Sequence, residues 1–382
     1  MGNCLSRDDS KTNSYSPVAL AVGESKSFNG VQIVPEPVYN WHQTEATTII
    51  SLDSNYKELR PEDVVINVSN GVHLTIVVYL GSMLYQLSGE IYATVSEMSV
   101  DFIDGRCDVC LTKFEVSHWS ALHGGAPLAV KFAPKKKFEM MYCSCAVKEV
   151  RQVTHDTKMF LVEFPSLAYV CVPLGHHVFI RHVAEEYEIV RPYSPVVNLE
   201  GDRGFEQGRS ILLLIKIYPS GSLTRLLAHL APGDSIEVSR HEGTFTEECF
   251  HHTDTLFLIA AGTGLTPMTK LIRRFLEMGE SKQVKLLCAN KTEEDQIMER
   301  ELTALQESSH ARFEVRHTLS QSSATWSGLK GRVNREMLQE VFNASEGKEI
   351  FVCYCGNLPF NIMMRRILRG FKFPEDHCHL FG

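Results

Sequence analysis

The chain has 382 residues, enough for two or three domains that each bury a core. Its composition, 44% hydrophobic and 22% charged, is that of an ordinary globular protein, and no run approaches the ~20 apolar residues needed to span a bilayer. A formal charge of −8 with no long Lys/Arg stripe argues against a nucleic-acid partner, and eleven scattered cysteines with no secretory signal argue for reduced thiols in a cytoplasmic setting.

Residues 1–35 read as a tail rich in Ser, Asn, Asp and Gly. It opens Met1-Gly2-Asn3-Cys4-Leu5-Ser6, which fits N-myristoylation of Gly2. One acyl chain anchors only marginally, and Cys4 is placed to carry a second by palmitoylation. The alternative is a tail that happens to begin Met-Gly.

From 36 to 122 come short alternating runs at 47–52, 64–68, 73–80, 84–91 and 109–116, separated by turn pairs such as Asn70-Gly71 and Asp104-Gly105. They predict an antiparallel β-sandwich. Residues 123–140, with Gly124-Gly125-Ala126-Pro127 and Lys135-Lys136-Lys137, have the composition of a linker. A second β-rich region, 141–250, has strand candidates at 143–150, 159–164, 177–183 and 211–218 and one helical stretch at 223–230. It predicts an antiparallel β-barrel. From 251 to 382 strands alternate with helices: strands at 255–261, 284–289, 313–317 and 349–354, helices at 267–278, 294–306, 335–342 and 359–368. That pattern predicts a doubly wound parallel α/β domain.

Gly262-Thr263-Gly264-Leu265-Thr266-Pro267 lies between the first strand and first helix of this last domain. Glycine lets a backbone approach a pyrophosphate, and a helix entrance points N–H groups at it. Such turns also occur as plain tight connections, but the strand-before, helix-after setting favours a nucleotide. Arg191-Pro192-Tyr193-Ser194 ends a barrel strand, where an arginine fork suits a phosphate and a tyrosine face suits a ring. A proline-bent strand end would look the same. Gly221-Ser222-Leu223-Thr224 opens a helix and suits either a phosphate or an ordinary cap by Ser222. Three other groups point away from metal chemistry. Cys107 and Cys110 have zinc-like spacing but no second pair follows. Cys143 and Cys145 fall on one face of a strand, and His176 and His177 on opposite faces, where they do not converge on an ion.

In this order the motifs resemble the ferredoxin reductase superfamily, specifically the cytochrome b5 reductases, from about residue 141 to 381. The resemblance implies that Arg191, Pro192, Tyr193 and Ser194 hold FAD, with Arg191 on its pyrophosphate, and that Gly221, Ser222, Leu223 and Thr224 form a second FAD phosphate site. Ile215-Lys216-Ile217-Tyr218 corresponds to a family strand, and Lys216 and Thr266 are candidates for tuning the flavin. Gly262, Thr263, Gly264, Thr266 and Pro267 are implied to hold the nicotinamide nucleotide, with Asn290 following the family pattern as well. Asp295 is expected near the adenosine ribose, which favours NADH, with NADPH as an alternative. Cys355 and Gly356 are implied at the nicotinamide, and Phe381 in place of a terminal aromatic; a buried strand end and a core ring are their plain alternatives. Residues 37–44 resemble the start of a CS domain. His155-Asp156-Thr157 resembles the family's opening barrel strand.

Two departures stand out. Cys355-Gly356-Asn357-Leu358-Pro359 lacks a family proline, which predicts a looser turn. No His-Pro-Gly-Gly occurs, so no haem is expected in this chain. The resemblance implies hydride transfer from NADH to FAD and single-electron release to a separate cytochrome b5-type haem protein. The CS domain would recruit a protein partner, on the cytosolic face of a membrane, the endoplasmic reticulum by resemblance. The rival reading is a membrane-tethered CS-domain scaffold whose reductase half is inactive.

Overall fold

The computed structural model describes residues 35–185, 187–199, 208–343, 345 and 347–382, so the expected lipidation sites Gly2 and Cys4 lie outside the described residues. The chain divides into two compact units, the first ending at Phe138 and the second running from Glu139 to Gly382.

The first unit contains β1 (Val38–Gln43), β2 (Thr47–Asp53), β3 (Val64–Ser69), β4 (His73–Leu80), β5 (Met83–Glu90), β6 (Val95–Ile103), β7 (Arg106–Lys113) and β8 (Ala129–Pro134). One sheet runs β1-β2-β7-β6, and β3, β4, β5 and β8 lie side by side in another, all antiparallel. Alternation sets the inward rows: Thr48, Ile50 and Leu52 on β2, and Cys107, Val109 and Leu111 on β7, all fully buried. The expected linker is corrected at Ala129–Pro134, which pairs with β5. β8 hides from a pattern search because Ala129, Val130 and Lys131 are exposed, leaving no alternating face. β6 escapes for another reason: a bulge between Val95 and Glu97 puts Val95 and Met98 on the same inner face, breaking the two-residue period.

Lys113 ends the inward row of β7, and its ammonium is almost wholly buried. It donates to Gln43 Oε1 (2.7 Å), to the Thr44 carbonyl (2.7 Å) and to the Ser117 carbonyl, and lies 5.1 Å from the Trp119 ring centre. Three acceptors match its three donors. Gln43 also pairs with both the N–H and the carbonyl of Trp119, so one amide and one ammonium fix the unit's largest buried ring.

The second unit begins with β9 (Tyr142–Thr154), β10 (Thr157–Glu163), β11 (Ala168–Val170), β12 (Val178–Val183), β13 (Glu188–Tyr193), β14 (Ser210–Lys216), α1 (Thr224–Leu227) and β15 (Ser235–Ser239). Their antiparallel order is β13-β12-β15-β9-β10-β14. Just past β13, the Val196 N–H donates to the Leu212 carbonyl of β14 (2.8 Å), joining the sheet's two outer strands into a barrel.

Next come β16 (Thr255–Ala261), α2 (Thr266–Glu277), β17 (Gln283–Asn290), α3 (Glu299–Ser308), β18 (Phe313–Leu319), β19 (Leu329–Lys330), α4 (Arg335–Asn343), β20 (Ile350–Cys355), α5 (Leu358–Gly370) and β21 (Cys378–Phe381). The sheet is parallel, in the order β19-β18-β17-β16-β20-β21. The unbroken apolar run of β16 serves two cores. Leu256, Leu258 and Ala260 pack with α2 and α3, whereas Phe257 and Ile259 pack with α4 and α5. Val196, Leu214 and Phe245 of the barrel join the first of these cores, so barrel and α/β sheet share one interior. The single helix expected at 294–306 is instead a 3-10 turn, Glu293–Asp295, and then α3, with Met298 between them in a left-handed conformation (φ 55°).

Replacing Lys113 by Met keeps the buried stem and leaves its oxygen partners unpaired. The expected outcome is a loss of about 2 kcal/mol, read as a lower urea midpoint of the first unit. An unchanged midpoint would show that the ammonium is dispensable.

Candidate functional site

In a doubly wound sheet the ligand crevice lies outside the carboxyl ends of the strands, where the strand order reverses. Here that point is between β16 and β20, whose ends meet with Ala260 opposite Cys355. Both halves of the expected nucleotide site converge there. On one side the chain leaves β16 through a 3-10 turn, Gly262–Leu265, that runs directly into α2 with Pro267 in its first turn. The N–H groups at such an entrance have no partners within the helix, and the helix dipole is positive there. Gly262 has φ +56° and open space where a Cβ would point, leaving room for a ligand against bare backbone. Gly264 is the opposite case: a Cβ there would lie 2.1 Å from the Cys355 carbonyl oxygen. Thr266 is buried, and its hydroxyl donates to the Thr263 carbonyl (3.0 Å). Asn290, at the end of β17, is half-buried beside this opening, and its carbonyl accepts from Ser320 N–H (3.1 Å).

On the other side, burial pushes the Cys355 thiol up to about 12, so it stands as a neutral thiol at physiological pH. In place of the looser turn expected after Gly356, Asn357 caps α5: its Oδ1 accepts the Phe360 N–H (3.1 Å), and Asn361 Nδ2 donates to the Gly356 carbonyl (3.0 Å). Phe381 lies opposite Cys355 in the sheet, but its ring is buried in the core, 5.4 Å from Phe245.

The barrel half is built on β13, an outer strand, where the N–H missing at Pro192 costs no ladder bond on the open side. Arg191 is exposed, its guanidinium bonded to the Val190 carbonyl (2.7 Å). Burial pushes the Tyr193 phenol up to about 12, with Arg191 opposing and Tyr218 adding to the shift; the three thus lie within electrostatic reach of one another. Ser194 follows in the crossing that closes the barrel. Of the second expected phosphate element, Leu223 is a core residue, Ser222 is exposed without capping α1, and the Thr224 hydroxyl bonds both backbone groups of Tyr218 (3.2 and 3.3 Å). A Cβ at Gly221 would lie 2.3 Å from the Thr224 Oγ1 and displace that hydroxyl from Tyr218. Ile215 points into the barrel, 2% exposed.

Lys216 is where barrel and nucleotide lobe meet. Its ammonium lies 2.8 Å from Asp156 Oδ2, in the turn between β9 and β10, and 2.9 Å from Asp295 Oδ1. Asp295 Oδ2 accepts both the N–H and the hydroxyl of Thr292 (3.0 and 2.8 Å). Burial alone would raise both carboxyls, but Lys216 together with the threonine hydrogen bonds outweighs it and holds them below the usual carboxylate range. The trio lines a cavity of about 720 Å³ together with His155, Tyr218 and Lys291, a size that suits half a dinucleotide. His155, Asp156 and Asp295 also have metal-ligand spacing, but the Lys216 ammonium already lies between the two carboxylates. Sequence reasoning gave Asp156 no site role, although the turn residues His155-Asp156-Thr157 were its visible signal. Elsewhere in the chain, His176 meets His241 (Nδ1 to Nδ1, 3.2 Å), His177 packs edge-on against Phe179, and Cys107 and Cys110 face opposite sides of β7.

Residues 144–246 match the oxidoreductase FAD-binding domain family and residues 258–366 the oxidoreductase NAD-binding domain family. Cytochrome b5 reductase 4 of Rattus norvegicus is 34% identical over 358 residues, covering 90% of this chain and 68% of that protein. The Homo sapiens protein is 30% identical, again over 90% and 68%. The chain belongs to the cytochrome b5 reductase 4 family. The solved CS-b5R domains of human Ncb5or in the NAD+ form superpose with a TM-score of 0.85 at 30% identity, covering 91% of this chain and all of that one. The reductase domain of Ulva prolifera nitrate reductase shares the fold, with a TM-score of 0.53 at 23% identity over 63% of this chain and 97% of that one. This cytochrome b5 reductase 4 relative is accordingly an FAD-dependent NAD(P)H oxidoreductase carrying a CS-type sandwich.

Two substitutions probe the switch point. Gly264→Ala is expected to destabilise by about 3 kcal/mol or more, because the clash is with backbone that cannot rotate away. Asn357→Ala, which removes only the cap, is expected to cost about 1 kcal/mol. Thermal melting should rank them in that order, and the reverse order would contradict the geometry.

Proposed function

We propose that this reductase takes electrons from NADH, passes them through FAD and releases them singly to a separate haem protein of the cytochrome b5 type. The observation that carries the reading is the Gly262 turn, bare and open at the switch point, in one compact unit with the exposed Arg191 beside Tyr193. FAD, when bound, supplies the chemistry of accepting a hydride and giving up its two electrons one at a time.

The chain's residues bind and orient. The Arg191 guanidinium suits the FAD pyrophosphate, and the Tyr193 ring gives the flavin an apolar face. The N–H groups of residues 262–265 suit the phosphates of the nicotinamide nucleotide. Cys355, a neutral thiol, adds no charge beside the nicotinamide. Asp295 was expected to read the adenosine ribose, but Lys216 and Thr292 engage both its oxygens. NADH is favoured as the donor by the NAD+ form of the human neighbour, and exposed Lys291 leaves NADPH as a second donor. The acceptor is inferred from the relatives' name, and the CS-type unit is assigned to recruiting a protein partner. The inactive-scaffold reading drew on Asn357 and on the missing haem motif, and the α5 cap accounts for the first of these.

Purified protein should be yellow and reduce ferricyanide with NADH, and should then reduce a soluble cytochrome b5 haem domain. Colourless, inactive protein would overturn the reductase reading; ferricyanide reduction without haem reduction would overturn the acceptor alone. Arg191→Ala should weaken FAD binding about tenfold or more, measured by titrating FAD into stripped protein.

A further inference from the structure

We propose that Asp156 is a positioning residue for hydride transfer: with Asp295 it clamps the Lys216 ammonium and so holds the barrel turn against the nucleotide-binding loop. The proposal rests on the reductase reading above.

Three elements distant in sequence converge on this clamp. Asp156 belongs to the turn between β9 and β10, Lys216 ends β14, and Asp295 closes the loop that follows β17. Each carboxylate is immobilised at one oxygen before it meets the lysine. Asp156 Oδ1 accepts from the hydroxyls of Thr154 and Thr157 (3.1 Å each), leaving Oδ2 for Lys216 at 2.8 Å. Asp295 Oδ2 is taken by Thr292, leaving Oδ1 for Lys216 at 2.9 Å. The backbone repeats the arrangement: Ile217 N–H donates to the Asp156 carbonyl (2.7 Å), and the His155 ring reaches the Glu294 carbonyl (3.4 Å). Lys216 is thus gripped between two rigid acceptors, one on each lobe.

The charge balance argues that this grip serves geometry. The cavity wall sets Lys158, Lys216 and Lys291 against Asp156, Glu294 and Asp295. The lysine charges are balanced, so attraction for an anionic dinucleotide does not explain the pair. What two fixed carboxylates on separate lobes do provide is a set distance between the FAD-side barrel and the nucleotide lobe. Hydride transfer is steep in that distance, since a misplacement of about 1 Å costs roughly 100-fold.

The test uses the full chain loaded with FAD. Asp156→Asn keeps the threonine contacts and removes the charge that holds Lys216. Its FAD content and its KM for NADH should stay within about twofold of the parent, while the saturating rate of flavin reduction in stopped flow falls about tenfold. Adding Asp295→Asn should cost less than its own single effect, because both act through one lysine. Thr292→Val, which removes the hydroxyl bond and leaves Asp295 held to the loop by the N–H alone, should lower the same rate and serves if Asp156→Asn fails to fold. Flavin reduction at the parental rate, a loss explained wholly by FAD content or KM, or additive single effects would overturn the proposal. Failure of the unsubstituted protein to oxidise NADH would instead overturn the reductase reading.

Discussion

Everything at the switch point depends on an atom that is not there. A Cβ on Gly264 would sit 2.1 Å from the Cys355 carbonyl oxygen and 2.5 Å from its carbon. Without it, the turn out of β16 passes directly against the end of β20 before it runs into α2. Two segments about ninety residues apart thereby become the two walls of one opening. The close approach also explains why the turn is rigid on one side and open on the other. Gly264 is pinned to backbone, while two residues earlier Gly262 faces empty space. A site of this kind needs both properties: one glycine to lock the floor and one to leave the backbone bare for a ligand.

What could be read in the sequence was what local chemistry dictates. The inward row of β2, the apolar run of β16 and the glycine turn after it are properties of a few consecutive residues and form where their patterns predict, whereas β7 runs Arg106–Lys113, three residues ahead of the expected 109–116. Features set by partners elsewhere were not legible. The ion pair from Lys216 to Asp295 spans 79 residues, and nothing around either residue announces the other. β8 looks like a linker because an outer strand exposes most of its side chains, and β6 loses its period to one extra residue. The break at Met298 is hidden as well. No glycine or proline marks the left-handed residue there.

Asn357 shows how a departure from a family pattern can be read the wrong way. A proline stiffens a turn by removing conformations from the unfolded chain, whereas a cap adds a hydrogen bond to the folded one. Each is worth about 1 kcal/mol or somewhat less, so exchanging one for the other leaves the entry to α5 comparably defined. The Asn361 side chain adds a bond to the Gly356 carbonyl, which ties the cap to the strand end it follows. Loss of the familiar residue is therefore not loss of the constraint.

The same reasoning applies to Asp295 with the opposite sign. Its position in the pattern suggested a carboxylate presented to a ribose, and a carboxylate recognises a hydroxyl through a lone pair left free for it. Here Oδ1 serves Lys216 and Oδ2 serves Thr292 twice, with the side chain almost fully buried. Lys216 and Thr292 fill three of the carboxylate's roughly four acceptor positions, and the one left, on Oδ1, lies beside the Lys216 ammonium. That ammonium offsets the repulsion a 2′-phosphate would meet, so this residue discriminates weakly between dinucleotides. Its physical work is better placed in holding the loop and Lys216, which moves the question of donor choice to groups that face the cavity with capacity to spare, Lys291 foremost among them.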